Sequence, residues 1–503
     1  MKYLLIPVFS LAILASSYAQ FASDALRYSR IQHYGTARMT GVGGAFSALG
    51  ADFGSVSLNP AGLAMFRSDE FMFTPGVYFA STDAGVPNKA VTSDEASKFR
   101  FTNLGLVFNS DPGEKSDWKT FNVGLGYNQL ANFNQSIYYE DTGSGTILTS
   151  WFNDAEPFLA SGGDPENLYA LGSGMAYNAG AIYFIDGLPS YDFAGNENAT
   201  LYRTHSVASG GAQNELSMSF AGNYKEKLMI GATLGVPLIN YRQESTYTES
   251  DPGGGYGGNV TYFDNLTYTD YLRTTGVGFN AKIGATFRVS QALRIGGAFH
   301  SPSFLNLTDN FSTTLNYVYE DQDASGSGNV LTFENDGEGN AEPFNYRLRT
   351  PWKAVFGGAL LVKKYGFISG DVEWVDYSSS HFNLTKNQSD ADTRAIERDL
   401  NNAVNTGYKA VTNYRFGAEA VLDIFRLRAG YNLLGKAKKD QTGYNSAISF
   451  GAGIRMKSAY IDLAFRRSTA TGSVSADASS KILPVATTDS KINDILMTVG
   501  FKF

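Results

Sequence analysis

Short stretches such as WKTFNVGLGYN, residues Trp118 to Asn128, decide the fold, because the two faces of the strand they form differ clearly. Apolar side chains share one face and alternate with Asn or Gly: Phe121, Val123, Leu125 and Tyr127. A similar alternation runs from Gly276 to Phe287. A soluble sandwich would carry many Lys, Glu and Thr on its solvent face. A face of Gly and Asn instead suits the lumen of a barrel whose other face meets lipid.

Fourteen alternating segments of this kind can be counted between residues 70 and 503. Short turns such as Tyr224 to Leu228 and Lys363 to Phe367 alternate with long polar segments, which we expect to be extracellular loops: 141–213, 246–274, 320–342, 387–409 and 470–491. Short turns at one rim and long loops at the other are typical of outer-membrane barrels. The pattern predicts an all-β, transmembrane antiparallel barrel over residues 69–503. A soluble β-sandwich or solenoid is the alternative.

The first nineteen residues have the features of a secretory signal peptide. Lys2 precedes an apolar run from Tyr3 to Ala15, and Ser17-Tyr18-Ala19 is a small-x-small cleavage site. The apolar run is too short to span a bilayer as a helix. Export and a barrel together predict a multi-pass protein of the outer membrane of a Gram-negative bacterium.

Composition and motif searches exclude several other classes of protein. The chain has no cysteine and a net charge of -8, which argues against disulfides, thiolate sites and nucleic-acid binding. The four histidines are dispersed, so we expect no metal, no cofactor and no enzymatic activity. The GVGGAF stretch lacks the third glycine of a dinucleotide fingerprint, and no G-x-S-x-G elbow accompanies His300-Ser301. Asp321, Asp323 and Ser325 begin a calcium-loop pattern whose twelfth position is Thr332 rather than Glu, so a solvated loop is favoured.

The stretch before the first strand resembles a known family. GTARMTGVGGAFSALGADFGSVSLNPAGLAMFRSDEFMFTPGVYF, Gly35 to Phe79, is similar to the N-terminal region of the long-chain fatty acid and aromatic hydrocarbon transporters of the FadL/TodX type. Weaker likenesses follow along the chain at AFHSP, Ala298 to Pro302, and at RTPWKAVFGGAL, Arg349 to Leu360. The resemblance implies a fourteen-stranded outer-membrane barrel, plugged by an N-terminal hatch, that imports fatty acids or aromatic hydrocarbons.

The resemblance assigns residues 20–68 to that hatch. Small residues and turns suit a segment that must fit inside a lumen. The positions implied in gating are Gly43, Gly44, Phe46, Asp52, Asn59, Pro60 and Ala61. We expect a helical turn over residues 45–49, which Pro60 keeps from continuing. Arg38 and Asp52 are candidates to pair with charged lumen residues such as Lys282, Arg294 and Glu419.

Two further sites follow from the resemblance. The family captures ligand in a groove of the loop after strand three, where this chain carries Trp151, Phe152, Phe158, Leu159, Leu168, Leu171 and Met175. Packing of these side chains against one another is the alternative. The family's lateral exit, at an inward bend of the third strand, corresponds to Gln129, Leu130, Ala131 and Phe133. Gln129 replaces a glycine that is common at this bend.

The sequence therefore predicts passive uptake of hydrophobic small molecules by a protein that we expect to be a monomer. Ligand would pass from the loops to a pocket in the lumen and leave when the hatch moves. A secretion-associated or structural barrel, a haem-binding surface receptor and an open aqueous porin are the alternatives. The expected partners are the ligand, outer-membrane lipid and lipopolysaccharide, and the barrel insertion machinery, which recognises a carboxy-terminal aromatic residue such as Phe503.

Overall fold

The computed structural model describes residues 15–32, 35–169, 171–253, 258–260, 263–319, 331–332, 343–384, 390–477 and 482–503. Most of the predicted signal peptide, His33 and the calcium-like residues Asp321, Asp323 and Ser325 lie outside these ranges. The predicted cleavage site after Ala19 falls within the first described helix, which begins at Ala15.

Fourteen antiparallel strands form the barrel. Three of these strands are interrupted near mid-height, and a fourth is interrupted where it bends towards the lumen. The fourteen strands are β1 Glu70–Gly85, β2 Thr92–Ser110, β3 Trp118–Asn132 with Gln135–Ser144, β4 Thr200–Tyr224, β5 Leu228–Ser250, β6 Phe263–Arg288, β7 Leu293–His300 with Phe304–Tyr319, β8 Phe344–Arg349 with Lys353–Val362, β9 Gly366–Asp376 with His381–Asn383, β10 Ala410–Leu422, β11 Phe425–Gly435, β12 Tyr444–Arg455, β13 Ala459–Val474 and β14 Ala486–Lys502. Each strand pairs with the next along the chain, and β1 pairs with β14 from Glu70↔Lys502 to Gly85↔Thr487. The predicted closed barrel of fourteen strands is confirmed.

The outer surface of the barrel is an apolar band. In β6, Val277, Phe279 and Ile283 are 47%, 51% and 59% exposed, although a soluble protein would bury such side chains. The face predicted from WKTFNVGLGYN behaves in the same way, since Phe121 and Leu125 are exposed while Asn122 is buried. An apolar exterior on a closed barrel identifies a membrane-spanning protein of the outer-membrane type.

Within the described residues, five α-helices lie inside the barrel or above it: α1 Ala15–Ser29, α2 Ala37–Gly41, α3 Ile147–Ala160, α4 Ser173–Asn178 and α5 Ala391–Gly407. None of the helices in the described part of the chain is long and apolar enough to cross a membrane. A hairpin, Ile182–Ile185 with Leu188–Tyr191, belongs with α3 and α4 to the loop after β3, while Leu331–Thr332 pairs with β7.

Several strands reach further into the predicted loops than the sequence pattern indicated. The loops span residues 145–199, 251–262 and 475–485, where we expected 141–213, 246–274 and 470–491. β4, β5 and β6 have 25, 23 and 26 residues, although about 9–11 suffice to cross a bilayer. Their upper ends, such as RQESTYTES at the end of β5, are polar on both faces because they stand in water above the lipid. Apolar alternation therefore marks only the lower part of each strand.

The N-terminal segment fills the lumen at two levels. Near the short-turn rim, which is the periplasmic end, residues 35–66 pack against the inner wall in three apolar clusters. Above them α1 occupies the middle of the barrel and contacts α5, which covers part of the upper opening. The loop from 145 to 199 forms a separate cap that packs on the upper ends of β5 to β7.

Candidate functional site

One wall carboxylate anchors the hatch. Asp371, on β9, accepts hydrogen bonds from the backbone N–H groups of Phe46 and Ser47 at 2.8 and 2.9 Å, and from the Ser47 hydroxyl at 2.6 Å. Ser369, on the same strand, donates to the carbonyl of Ala45 at 2.8 Å. Bonds to a charged acceptor are the stronger kind, so Asp371 is the main polar attachment on this side of the hatch.

Glycines on the inner wall let the hatch approach closely. A Cβ at Gly231 would lie 2.5 Å from the Pro60 carbonyl, and one at Gly430 would lie 2.2 Å from the Gly43 nitrogen. Gly296 is packed in the same way, with the Ser47 carbonyl 2.1 Å from a Cβ placed there. The Gly-rich inner face that the sequence revealed is thus the surface on which the hatch rests.

The hatch glycines shape a helix end. α2 ends in a Schellman motif, in which the Gly44 N–H bonds the Met39 carbonyl and the Gly43 N–H bonds the Thr40 carbonyl, both at 2.9 Å. Gly43 and Gly44 have φ of +65° and +70°, the left-handed region that favours glycine. Helix α2 ends before Gly43, and one hydrogen-bonded turn follows within the expected stretch 45–49, where the Leu49 N–H donates to the Phe46 carbonyl at 3.1 Å.

Asn59, Pro60 and Ala61 form the other end of the hatch. Asn59 accepts from the Ala61 N–H at 3.1 Å and so caps the 3-10 helix Pro60–Met65, in which Pro60 takes the first position. Its side-chain amide also donates to the Ser47 carbonyl at 2.6 Å and to the Ala285 carbonyl of the wall at 3.1 Å. One side chain therefore joins two parts of the hatch to β6.

The two charged hatch residues singled out from the sequence, Arg38 and Asp52, have different partners. Arg38 reaches the wall and pairs with Glu419 at 3.4 Å, as expected, in a network where Arg428 contacts Glu419 at 2.6 Å and Asp462 at 2.7 Å. Asp52 instead accepts the proton of the Thr36 hydroxyl, whose oxygen lies 2.8 Å from each carboxylate oxygen. Burial raises the pKa of Asp52 above its ordinary value, although Arg38 and the hydrogen bonds to the carboxylate act to lower that pKa.

The other two expected partners, Lys282 and Arg294, contact residues other than Arg38 and Asp52. Lys282 pairs with Glu215 on β4 at 2.6 Å, and Arg294 lies beside the Met65 sulfur at 3.4 Å. The expected pairing of Arg38 or Asp52 with these two residues is therefore wrong: Lys282 already has a carboxylate on its own wall, and Arg294 contacts the hatch at Met65 instead.

The barrel wall has a seam between β2 and β3. These strands pair only from Asn103↔Asn128 to Ser110↔Phe121, below the middle of the barrel. Above that level β2 pairs with β1 alone and β3 pairs with β4 alone. The Tyr78 hydroxyl, which points inward from β1, donates to the Asn134 carbonyl at 2.7 Å, so the upper part of β3 passes inside the wall.

The residues predicted for the lateral exit lie at this seam. Gln129, Leu130 and Ala131 are all buried, and the pairing with β4 is irregular between Gln129 and Ala131. Gln129 accepts a hydrogen bond from Arg100 at 2.6 Å. A bulge thus produces the bend without the glycine that the family pattern led us to look for.

The bend contacts the N-terminal segment directly. The Gln32 N–H donates to the Leu130 carbonyl at 2.7 Å, where the chain runs from α1 towards the hatch. Phe133 forms edge contacts with Tyr28 of α1 and Tyr241 of β5, with ring centroids 6.0 and 5.5 Å apart. Movement of the N-terminal segment would therefore change the packing on the inner side of the seam.

Tyr28 and Tyr241 were not recognised from the sequence as site residues. Both side chains belong to an apolar cluster in the upper lumen, to which α1 contributes Ala22, Ala25 and Tyr28. Arg27 of α1 lies 4.1 Å from the Tyr241 ring centroid, and the Lys353 ammonium donates to the Ser29 carbonyl at 2.8 Å. The spacing of Ala22, Ala25 and Tyr28 is a helical signal that could have identified α1.

The predicted loop groove is largely a packed core. The structure brings all seven side chains into one cap, where Trp151, Leu159, Leu168 and Met175 are buried and the other three are partly exposed: Phe152, Phe158 and Leu171. Phe152 stacks on Tyr191 at 4.4 Å between centroids. For most of these side chains the structure therefore shows packing against one another.

The cap is tied to the barrel by a strand carboxylate. Glu249, at the upper end of β5, accepts from the Ile147 N–H at 2.8 Å at the start of α3. The Trp151 ring lies 5.0 Å from that of Tyr268, on β6, and the Tyr268 hydroxyl donates to the Leu171 carbonyl at 2.9 Å. These contacts fix the cap over one side of the opening.

The histidines serve other purposes in the described chain. The ring of His300 contacts the Leu58 carbonyl of the hatch at 2.8 Å, and the adjacent Ser301 hydroxyl bonds the Pro302 carbonyl at 3.0 Å. His205 contacts the Ser245 hydroxyl at 2.9 Å. Among the described residues no group of three His, Asp or Glu side chains could hold a metal ion.

Comparison with known proteins gives a fold and no close relative. No family model and no curated protein matches the sequence. The crystal structure of a Pseudomonas aeruginosa FadL homologue is similar, with 12% identity and a TM-score of 0.52 over 93% of this chain and 98% of that one. The toluene transporters TodX of Pseudomonas putida and TbuX of Ralstonia pickettii align over the same shares at 13% and 12% identity, with TM-scores of 0.49 and 0.47. The chain therefore has the fold of the FadL-type outer-membrane barrels.

Proposed function

We propose that the protein is a passive outer-membrane route for hydrophobic small molecules, either long-chain fatty acids or aromatic hydrocarbons. The single observation that carries this proposal is the seam between β2 and β3, because its inner side is closed by the N-terminal segment at Gln32–Leu130 and Phe133–Tyr28. A hydrophobic solute needs a path from the lumen to the lipid. The seam provides such a path when the segment that closes it moves away.

The contents of the lumen favour a gated route over an open aqueous pore. The cavities beside Gln32 measure about 20 and 10 Å³, and each holds about one water molecule. The apolar side chains around Tyr28, Phe133 and Tyr241 form the region where ligand would replace α1. Ligand and α1 therefore compete for one surface, and binding of ligand is the event that frees the seam.

In this scheme the outer cap collects ligand first. Phe152, Phe158 and Leu171 are the predicted groove residues that keep exposed apolar surface, so they are the candidates for first contact. Affinity at each stage needs only to be weak enough for release, and no chemical step is required. The FadL homologue and the toluene transporters have the same architecture, which supports the proposal.

Native mass spectrometry tests the ligand site directly. Protein purified in exchangeable detergent should retain a fatty acid or an aromatic molecule, and Tyr241→Ala should reduce the retained fraction. Tyr271→Ala is the matched control, because Tyr271 is 38% exposed on the outer side of the barrel while Tyr241 is 3% exposed. Equal retention by both variants, or a retained protein partner in place of a small ligand, would contradict the proposed function.

A further inference from the structure

A groove on the outer face of the barrel lies behind the apolar cluster in the upper lumen, because Leu305 and Leu348 belong to that cluster and also line the groove. It has a volume of about 670 Å³ and is formed where β7, β8 and β9 are interrupted at residues 301–303, 350–352 and 377–380. The ladder of paired strands is broken there, because the segments above and below each interruption pair separately.

Strand register places the groove at the upper edge of the apolar band. One row of paired residues crosses four strands: Phe279, Phe304, Arg349 and His381. The next row towards the extracellular side also begins with an apolar residue and has an arginine in third place: Val277, Asn306, Arg347 and Asn383. Below these rows the outward side chains are apolar, and above them they are polar, as at Thr275 and Thr308. The groove therefore faces the headgroup level of the outer leaflet.

The basic side chains of the groove are available to an anion. Arg347, Arg349 and His381 are exposed, and Arg347 donates to the Asn306 side chain at 3.0 Å. In the part of the chain that the structure describes, neither Arg347 nor Arg349 has a carboxylate within ion-pair distance. A site of this charge stands out in a chain whose net charge is -8.

A second pair of arginines extends the basic patch. Arg242 on β5 and Arg273 on β6 are direct cross-strand neighbours, and both are exposed two rows above Val277. Like charges placed directly opposite each other destabilise a sheet unless an anion lies between them. This pair lies on β5 and β6, and β7 separates it from the groove arginines on β8.

The lower side of the groove is suited to acyl chains and sugars. Phe279 and Phe304 are 51% and 56% exposed at its floor. Beneath it three outward aromatic rings form a chain, with Phe299 5.6 Å from Trp352 and Trp352 4.7 Å from Trp374 between centroids. Aromatic rings of this kind sit at the membrane interface of outer-membrane barrels.

We propose that this groove binds a phosphorylated, multiply acylated glycolipid of the outer leaflet. The phosphates contact the guanidinium groups of Arg347 and Arg349, with Arg242 and Arg273 contacting a second phosphate or an acidic sugar. Arginine binds phosphate through parallel N–H bonds, which fixes the headgroup in place. An acyl chain lies along Val277, Phe279 and Phe304. The glycolipid thereby seals the outer side of the wall where the strands are interrupted.

Binding of purified lipid A to the intact protein in detergent tests this site. Trp352 and Trp374 lie next to the groove, so intrinsic fluorescence reports binding, and native mass spectrometry counts the bound molecules. The wild type should bind bisphosphorylated lipid A. The double variant Arg347→Gln/Arg349→Gln should bind it more weakly by a factor on the order of a hundred, since each charged contact is worth about tenfold or more.

Two comparisons make the result decisive. The control Arg426→Gln/Arg467→Gln changes the net charge equally, and the two residues lie on β11 and β13, away from the groove. It should leave the affinity for lipid A unchanged. Equal loss in this control, equal binding of dephosphorylated lipid A, or displacement of lipid A by an equal concentration of phosphatidylglycerol would each overturn the proposal. Arg347, Arg349 and Arg467 are exposed, and Arg426 is half-buried beside the short turn before β11, where it bonds the Asp423 carbonyl at 2.6 Å. Altered electrophoretic migration on heating verifies that each variant is folded.

Discussion

Removal of the Asp371 carboxylate tests how the hatch is held. In Asp371→Ala the buried N–H groups of Phe46 and Ser47 lose their acceptor, which lies 2.8 and 2.9 Å away in the wild type. Each buried donor left without a partner costs about 1–3 kcal/mol, so hatch docking should weaken by about 2–6 kcal/mol. Since 1.4 kcal/mol is a factor of ten, the undocked population should rise by about 30-fold to about 10⁴-fold.

Conductance across a planar bilayer is the assay. Asp371→Ala should give ion currents much more often than the wild type while the barrel stays folded and inserted. Asp376→Ala is the matched control on the same strand, because its carboxylate accepts from Ser378 in a local turn and does not contact the hatch. If Asp371→Ala and Asp376→Ala conduct alike, polar anchoring does not hold the hatch and its apolar clusters suffice.

Three more variants probe the same assembly. Gly231→Val should also raise conductance, because a Cβ there would lie 2.5 Å from the Pro60 carbonyl; unchanged current would mean that the wall yields instead of the hatch. Phe133→Ala removes two aromatic contacts worth about 0.5–1.5 kcal/mol each, so amides of α1 near Tyr28 should exchange hydrogen faster; unaltered exchange would contradict the contact. Deletion of residues 41–61 should leave an inserted barrel that leaks small solutes, whereas loss of insertion without a leak would make this segment part of the scaffold.

The barrel could be predicted from the sequence because lipid imposes a simple rule on its outer face. Alternation at Phe121 and Leu125, and at Val277 and Phe279, identified the outward side of each strand. The upper ends of β4 and β5 could not be predicted as strands in this way, since they have water on the outside and polar neighbours within. The strand count survived because every strand keeps an apolar part at membrane level.

The hatch could be predicted in outline and not in its contacts. Its small residues indicated close packing, and Asn59-Pro60 indicated a turn, yet Asp371 lies about 325 residues away in sequence from Phe46 and gave no local signal. The bend at Gln129 was obscured because a bulge replaces the expected glycine. Tyr241 could not be found because a single tyrosine on a strand gives no sign that a helix packs against it.

The central claim is that solute leaves only when the N-terminal segment separates from the bend of β3. The chain has no cysteine, so Gln32→Cys/Leu130→Cys introduces a single possible disulfide. The 2.7 Å backbone hydrogen bond between these residues keeps their Cα atoms about 5–6 Å apart, within the range that a disulfide spans. Leu427→Cys/Ala452→Cys is the control, because it joins two neighbours on β11 and β12 away from the seam.

Uptake of a labelled long-chain fatty acid and of labelled toluene, by cells that lack their own transporter, is the deciding measurement. The locked variant should lose uptake when oxidised and regain it when reduced, while the control should transport in both states. Full uptake through the oxidised Gln32→Cys/Leu130→Cys variant, with the disulfide verified by mass spectrometry, would contradict the account.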